Sequence, residues 1–267
     1  MDSAWTRENR GAVVSLITED GKSQLDGPHT VSFDEALAHI QLANRGAELH
    51  ALAIDQPLIV KNATRRRPVE DVVSHVMGKH GSAVQPANRS KQTMFGDGAP
   101  IWPFLTALED MGFSHDHRAN DRAEARGSFF FEVYPALSNL GLFWPFYTRG
   151  MVPRYNPQRR TFDPNDWQLL CSHVLSFVER WNVECDWLKR AMPLVSPSKR
   201  EQDKLDAIIC LCIAMSWTSG ECGVVIGDFE TGYIVVPSHN ALTELYRKHS
   251  AVHRVPFWPQ TVLQGIT

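Results

Sequence analysis

The chain has 267 residues, 43% of them hydrophobic, which is enough for one large domain with a substantial core. A net charge of -3 gives no global attraction to nucleic acid or anionic lipid, so binding to either must come from local patches. The five cysteines, at 171, 185, 210, 212 and 222, contain no Cys-x-x-Cys pair, which argues against a zinc ribbon and a secreted disulfide framework. With no basic leader and no run of about 20 apolar residues, a cytoplasmic protein outside the membrane is expected.

Gly11 to Thr18 reads as a strand, Glu19-Asp20-Gly21 as a hairpin turn and Lys22 to Val31 as a weaker returning strand. Ser32 should cap a helix over Phe33 to Ala43, with Glu35 closing a capping box. Leu49 to Ile54 is a short apolar strand. Residues 60–127 read as an insertion, basic and rich in Gly and Pro in its first part, with helices around Val69 to Met77 and Pro103 to Met111. Ser128 to Tyr134 is a strand stopped by Pro135. A start signal at Asp163-Pro164 predicts a helix through about Leu188, and another begins near Ser198. Val224 to Ile226 and Tyr233 to Val236 form a C-terminal hairpin. The sum is one α/β domain over 1–267, a mixed sheet flanked by helices.

Carboxylates interrupt or end the apolar segments, where a buried charge costs about 2 kcal/mol or more unless something binds it. Asp55 ends Leu49 to Ile54 and would project from the strand's C-terminal edge, where open α/β sheets bind ligands; a strand-ending turn is the alternative. Asp203 and Asp206 share a helix face that continues through Ala207, Cys210 and Ala214, small residues that let a helix lie close to a sheet. Acids in a first turn also simply favour the positive helix end. Glu132, within Phe-Phe-Phe-Glu-Val-Tyr, either pairs with an arginine or binds a ligand. Asp2 is expected to be frayed and solvated. His115-Asp116-His117 reads as a polar loop rather than zinc ligands, because structural zinc wants four.

Asp-Ser-Ala-Trp-Thr with Gly11-Ala12, Ala53-Ile54-Asp55-Gln-Pro-Leu, Arg67-Pro68 with Glu70, Pro86-Ala87-Asn88-Arg89, Glu132-Val-Tyr-Pro, Asp203-Lys-Leu-Asp206-Ala and Gly227-Asp228 with Gly232-Tyr-Ile-Val-Val-Pro occur in that order. This ordered set resembles the predicted-nuclease family with a ribonuclease H-like fold, domain of unknown function 429. The resemblance implies three antiparallel strands, a helix and a fourth strand beside the first, with the basic insertion following it. It also implies that acids on the first strand, the fourth strand and a late helix bind two divalent metals. Asp2, Asp55 and Asp206 fall on those elements, with Asp203 a further ligand and Glu132 a motif residue of open role. Family members carry several apolar residues ahead of the first acid, so the reading frame is expected to begin upstream of Met1.

Oxygen-only ligation selects Mg2+ or Mn2+, and two such ions would serve phosphodiester hydrolysis. Nucleic-acid phosphates could meet Arg65, Arg67 and Arg89 in the patch with Lys61, Arg66, Lys79 and Lys91, or Arg149, Arg154, Arg159 and Arg160. A non-catalytic scaffold and a small-molecule phosphohydrolase are the other readings; sequence leaves oligomeric state open.

Overall fold

The computed structural model describes residues 1–19, 22–45, 49–117, 127–221 and 223–259. The tip of the first predicted hairpin, 20–21, and Cys222 lie outside the described residues.

Strand β1 (Gly11–Glu19) pairs antiparallel with β2 (Lys22–Val31) from Gly11↔Val31 to Glu19↔Lys22. Helix α1 (Phe33–Ala43) starts at the predicted capping box and buries Phe33, Ala36 and Ile40, one face at helical spacing. Strand β3 (Leu49–Ile54) follows. After α2 (Pro68–Lys79), α3 (Gln92–Phe95) and α4 (Ile101–Asp110) come β4 (Phe113–His115) and β5 (Gly127–Glu132). Both β3 and β4 pair parallel with β5. Next are α5 (Pro135–Leu142), α6 (Trp144–Thr148), α7 (Pro164–Glu179), α8 (Asp186–Ala191) and α9 (Lys199–Ser219). The hairpin of β6 (Gly223–Asp228) and β7 (Gly232–Pro237) leads to α10 (Asn240–His253) and β8 (Phe257–Pro259), which pairs with β6. Among the described residues this is a mixed α/β fold with one parallel and two antiparallel small sheets.

Single rungs join these sheets. Asp2 pairs antiparallel with Ala12 of β1 and parallel with Asp55 just beyond β3, so the Met1–Asp2 segment lies between the two strands. Val133, one residue past β5, pairs with Val235 of β7.

Alternation along the strands divides the interior into two cores. Phe129 and Phe131 of β5, Ala53 of β3 and Ala12 and Val14 of β1 pack on the side of α2, α5, α7 and α9. Phe130, Leu52, Ile54 and Val13 pack with α1 and α4. Helix α9 is buried nearly all round, so it runs through the interior rather than along its surface.

The structure departs from expectation at four places. The helix expected over 164–188 is broken between Glu179 and Asp186, where Asn182 takes a positive φ of 56°. Strand β5 ends at Glu132, short of the expected Tyr134, and Pro135 opens α5, because a proline at the first helical position loses no helical hydrogen bond. Within stretch 60–127, α2 buries Val69, Val72, Val73, Val76 and Met77 in the larger core, and β4 joins the sheet. His115 belongs to β4, its ring stacked on Phe130, rather than to a polar loop.

Candidate active site

Asp2 reaches its position through backbone alone. Its N–H donates to Ala12 O (2.9 Å), its carbonyl accepts from Ala12 N–H (2.8 Å), and Met1 O accepts from Asp55 N–H (2.9 Å). The N-terminal ammonium donates to Ala53 O at 2.8 Å. Contrary to the expectation of a frayed, solvated residue, Asp2 is only 5% exposed. Gly11 makes this possible: a Cβ there would lie 2.3 Å from Asp2 O.

Asp55 sits immediately beyond β3 and is partly buried. Asp206 arrives from the second turn of α9, which packs on β1, β2 and β3 as the run of small residues predicted. Tyr155 OH donates to Asp206 Oδ1 (2.6 Å) and Gln202 Nε2 to Oδ2 (3.0 Å). Asp2, Asp55 and Asp206 therefore meet from three distant parts of the chain. They share a cavity of about 520 Å³ with Lys199, Gln202, Tyr134, Tyr155, Arg154 and Arg159 on its walls.

The electrostatics show how uncompensated the three acids are. Burial first, and then the charges of Asp55, Asp206 and Asp203, push the Asp2 carboxyl well above its ordinary range. Burial and Asp206 do the same to Asp55. Asp206 is pushed up to about 6, again by burial, with Lys199, Tyr155 and Gln202 opposing the rise. The Lys199 ammonium is held above its ordinary value by Asp2, Asp206 and Asp203 despite the cost of burying it. The groups of His, Cys, Asp or Glu whose ligand atoms all lie within 4.8 Å of one another are, among the described residues, two histidine-containing clusters elsewhere. The three carboxylates are thus spread more widely than the ligands of a single ion.

Other predicted site residues are placed differently. Asp203 pairs with Lys199 and does not line the cavity. Glu132 is the last residue of β5 rather than mid-strand, and its carboxylate is already engaged. Arg67 Nη2 donates to Oε1 (2.6 Å), and Arg67 Nη1 and Leu58 N–H donate to Oε2 (both 2.9 Å). Of the two alternatives for Glu132, the structure shows the arginine pair.

Arg67, expected to meet substrate phosphates, is instead 1% exposed, with Nε on Glu70 Oε1 (2.8 Å) and Nη1 also on Ile59 O (3.2 Å). A guanidinium so committed to buried carboxylates is a structural hub. Glu132 and Glu70 raise its proton affinity although burial opposes this. Gly232 leaves room for it, since a Cβ there would lie 2.9 Å from Arg67 Nη1. Arg67 still borders the cavity, whereas Arg65 and Arg89 do not line it; Arg89 pairs with Asp97 and lies over the Trp102 ring. Besides Arg67, Arg154 and Arg159 of the second group line the cavity, and Arg154 also pairs with Asp163 and Asp166.

Sequence reasoning missed Lys199, Gln202, Tyr134 and Tyr155. Lys199 and Gln202 carried a usable signal, being seven and four residues ahead of Asp206 on one helix face. Tyr155 is 51 residues from its partner and carried none.

Fold and site together define a mixed α/β protein with two buried carboxylates and a partly buried third gathered at the junction of β1, β3 and α9. The family model described as a protein of unknown function, DUF429, matches residues 1–231, and the chain belongs to that family. No curated protein and no solved structure matches it. Among the described residues no helix is long and apolar enough to cross a membrane.

Proposed function

We propose that this protein is a divalent-metal-dependent hydrolase of phosphodiester bonds, a nuclease built on a ribonuclease H-like sheet. The observation that carries the reading is the meeting of Asp2, Asp55 and Asp206 in one cavity, where burial raises all three and Asp206 raises both Asp2 and Asp55. Carboxylates arranged at such mutual cost are an all-oxygen donor set awaiting cations, and hard ions such as Mg2+ or Mn2+ suit it. Two ions rather than one are what the ribonuclease H-like reading implies. The order β2–β1–(Met1–Asp2)–β3–β5, with α9 laid across it, supports the ribonuclease H-like reading.

Asp2, Asp55 and Asp206 would hold the ions, which supply an activated water and charge neutralisation at the leaving oxygen. Tyr155 and Gln202 orient the Asp206 carboxylate, leaving its remaining lone pairs for the cavity. Arg159 and Lys199 on the cavity wall are the cations available to a phosphodiester backbone.

The test is incubation of purified protein with Mn2+ or Mg2+ and labelled single strands, duplexes, branched DNA, RNA and free nucleotides. Metal-dependent cleavage of a polynucleotide, abolished by Asp55→Asn and by Asp206→Asn, is expected. Turnover of nucleotides alone would move the reading to a small-molecule phosphohydrolase. Absence of Mn2+ uptake in calorimetry, or equal uptake by Asp55→Asn, would refute it and leave a binding or scaffold protein.

A further inference from the structure

Away from the carboxylate cavity, three histidines converge where α10 lies on α2. His249 and His253 are four residues apart on α10 and so share one face of that helix, while His75 comes from α2. One nitrogen from each of the three lies within 4.8 Å of the other two. His253 Nε2 is 3.2 Å from His75 Nδ1, close to the separation of two nitrogens bound at about 2.0–2.1 Å to one tetrahedral ion. His75 Nδ1 also lies 2.9 Å from the carbonyl of Asp71. A carbonyl only accepts, so Nδ1 carries the hydrogen in that contact; to ligate through Nδ1, His75 gives up the Asp71 carbonyl and carries its hydrogen on Nε2 instead.

A cation already leans on the cluster. Lys79 Nζ donates to His249 Nε2 at 3.2 Å, which identifies that nitrogen as an unprotonated acceptor. Lys79 is exposed and can turn away into solvent.

We propose that His75, His249 and His253 form a site for a zinc-class transition metal that fastens α10 to α2. Three imidazoles without a carboxylate are a donor set for Zn2+ and its neighbours rather than for Mg2+ or Mn2+. Three protein ligands leave a fourth position for water at this half-exposed surface. Two of the ligands, His249 and His253, lie beyond residues 1–231, outside the region matched by the family model. Asp26, His29 and His39 form the other histidine-containing group. There Asp26 already bonds His29 Nε2 (2.7 Å) and Ser15 Oγ bonds His39 Nε2 (2.8 Å), which makes it a useful control.

The experiment uses the full chain, stripped with chelator and then held in excess Mg2+ so that the carboxylate cavity is not the reporter. Calorimetry with Zn2+ and visible absorption with Co2+ should show one equivalent bound with micromolar or tighter affinity. His253→Gln, and separately His75→Gln, should weaken it by at least about tenfold, while the double variant His29→Gln/His39→Gln retains it. Hydrogen exchange of the α10 amides should slow on adding Zn2+ to the wild type and not to His253→Gln. All three side chains are at least partly exposed, so the variants should fold, which circular dichroism checks. No uptake at micromolar Zn2+, uptake untouched by the His253 and His75 changes, or uptake lost with His29 and His39 would each overturn the site. Uptake without slowed exchange would overturn the clasp.

Discussion

Asp206 makes the carboxylate cluster measurable as a dependence of stability on pH. Its carboxyl is raised from 3.8 to about 6, chiefly by burial. Below about pH 4 it is protonated in folded and unfolded chains alike, and its contribution to stability is intact. Between about pH 4 and pH 6 the unfolded chain releases the proton while the folded chain keeps it, so stability falls as pH rises. Above pH 6 the loss is complete, about two units at 1.36 kcal/mol each, or roughly 3 kcal/mol. For a chain of this size that is a fall in melting temperature of roughly 6–12 °C.

Asp2 and Asp55 are raised as well and act in the same direction. Asp166, held below its ordinary range by Arg149 and Arg154 against its burial, acts oppositely. So does His115, pushed down to about 4 by burial. The assay therefore compares metal-free wild type with Asp206→Asn by urea denaturation from pH 4 to pH 8. The variant keeps the shape and the Tyr155 hydrogen bond, and Gln202 can turn its unpartnered Oε1 toward the new amide. Relative to the variant, wild type should lose about 3 kcal/mol across that range. Mn2+ at a hundred times its dissociation constant should return about 2.7 kcal/mol at pH 8, to wild type only. A difference curve that is flat, or that rises with pH, would refute the electrostatic account of the site.

Two further perturbations probe the scaffold around the acids. Arg67→Ala strands Glu132 and Glu70 in the core without their cation and should cost about 3–5 kcal/mol in equilibrium unfolding; a cost below about 1 kcal/mol would mean that these acids are solvated or protonated. Gly11→Ala places a Cβ 2.3 Å from the Asp2 carbonyl, so it should destabilise by about 1–3 kcal/mol and weaken Mn2+ uptake. Uptake at wild-type affinity would show that the rung between Asp2 and Ala12 is dispensable.

What the sequence disclosed was mostly local. The capping box at Ser32 marks a helix start because Ser and Glu three residues apart satisfy the same free N–H groups. Asp55 and Asp206 stood out because a charge inside or ending an apolar run has a cost that asks for a reason. The second group of arginines was recognisable as basic, and its Arg154 and Arg159 stand on the cavity wall. What sequence concealed depends on contacts far apart in the chain. Arg67 looked like one of several surface arginines, and only its meeting with Glu132, 65 residues later, makes it a buried hub. Asp2 looked solvated by position, yet two neighbouring strands hold it by backbone groups that no side-chain pattern advertises. The pair His249 and His253 had a helical spacing that could have been noticed, but its third member lies on α2, more than 170 residues away.

Lys199 ties the electrostatics to the chemistry. It pairs with Asp203 and also feels Asp2 and Asp206, so in the metal-free protein it supplies part of the positive charge that the cavity lacks. A divalent ion entering the cavity must compete with that ammonium, whereas a phosphate entering beside the ion would be attracted by it. These two demands pull a substitution in opposite directions. Lys199→Met keeps the apolar stem and removes the charge, so Mn2+ should bind about five to ten times more tightly, a gain kept modest because the side chain is 42% exposed and screened by water. In the same variant, kcat/KM for the cleaved polynucleotide should fall, because the metal gained does not replace the lost contact to substrate. Calorimetry and initial rates on one preparation separate the two effects. Weaker Mn2+ binding would mean that Lys199 orders the carboxylates rather than competing for them, and an unchanged kcat/KM would remove it from the substrate surface.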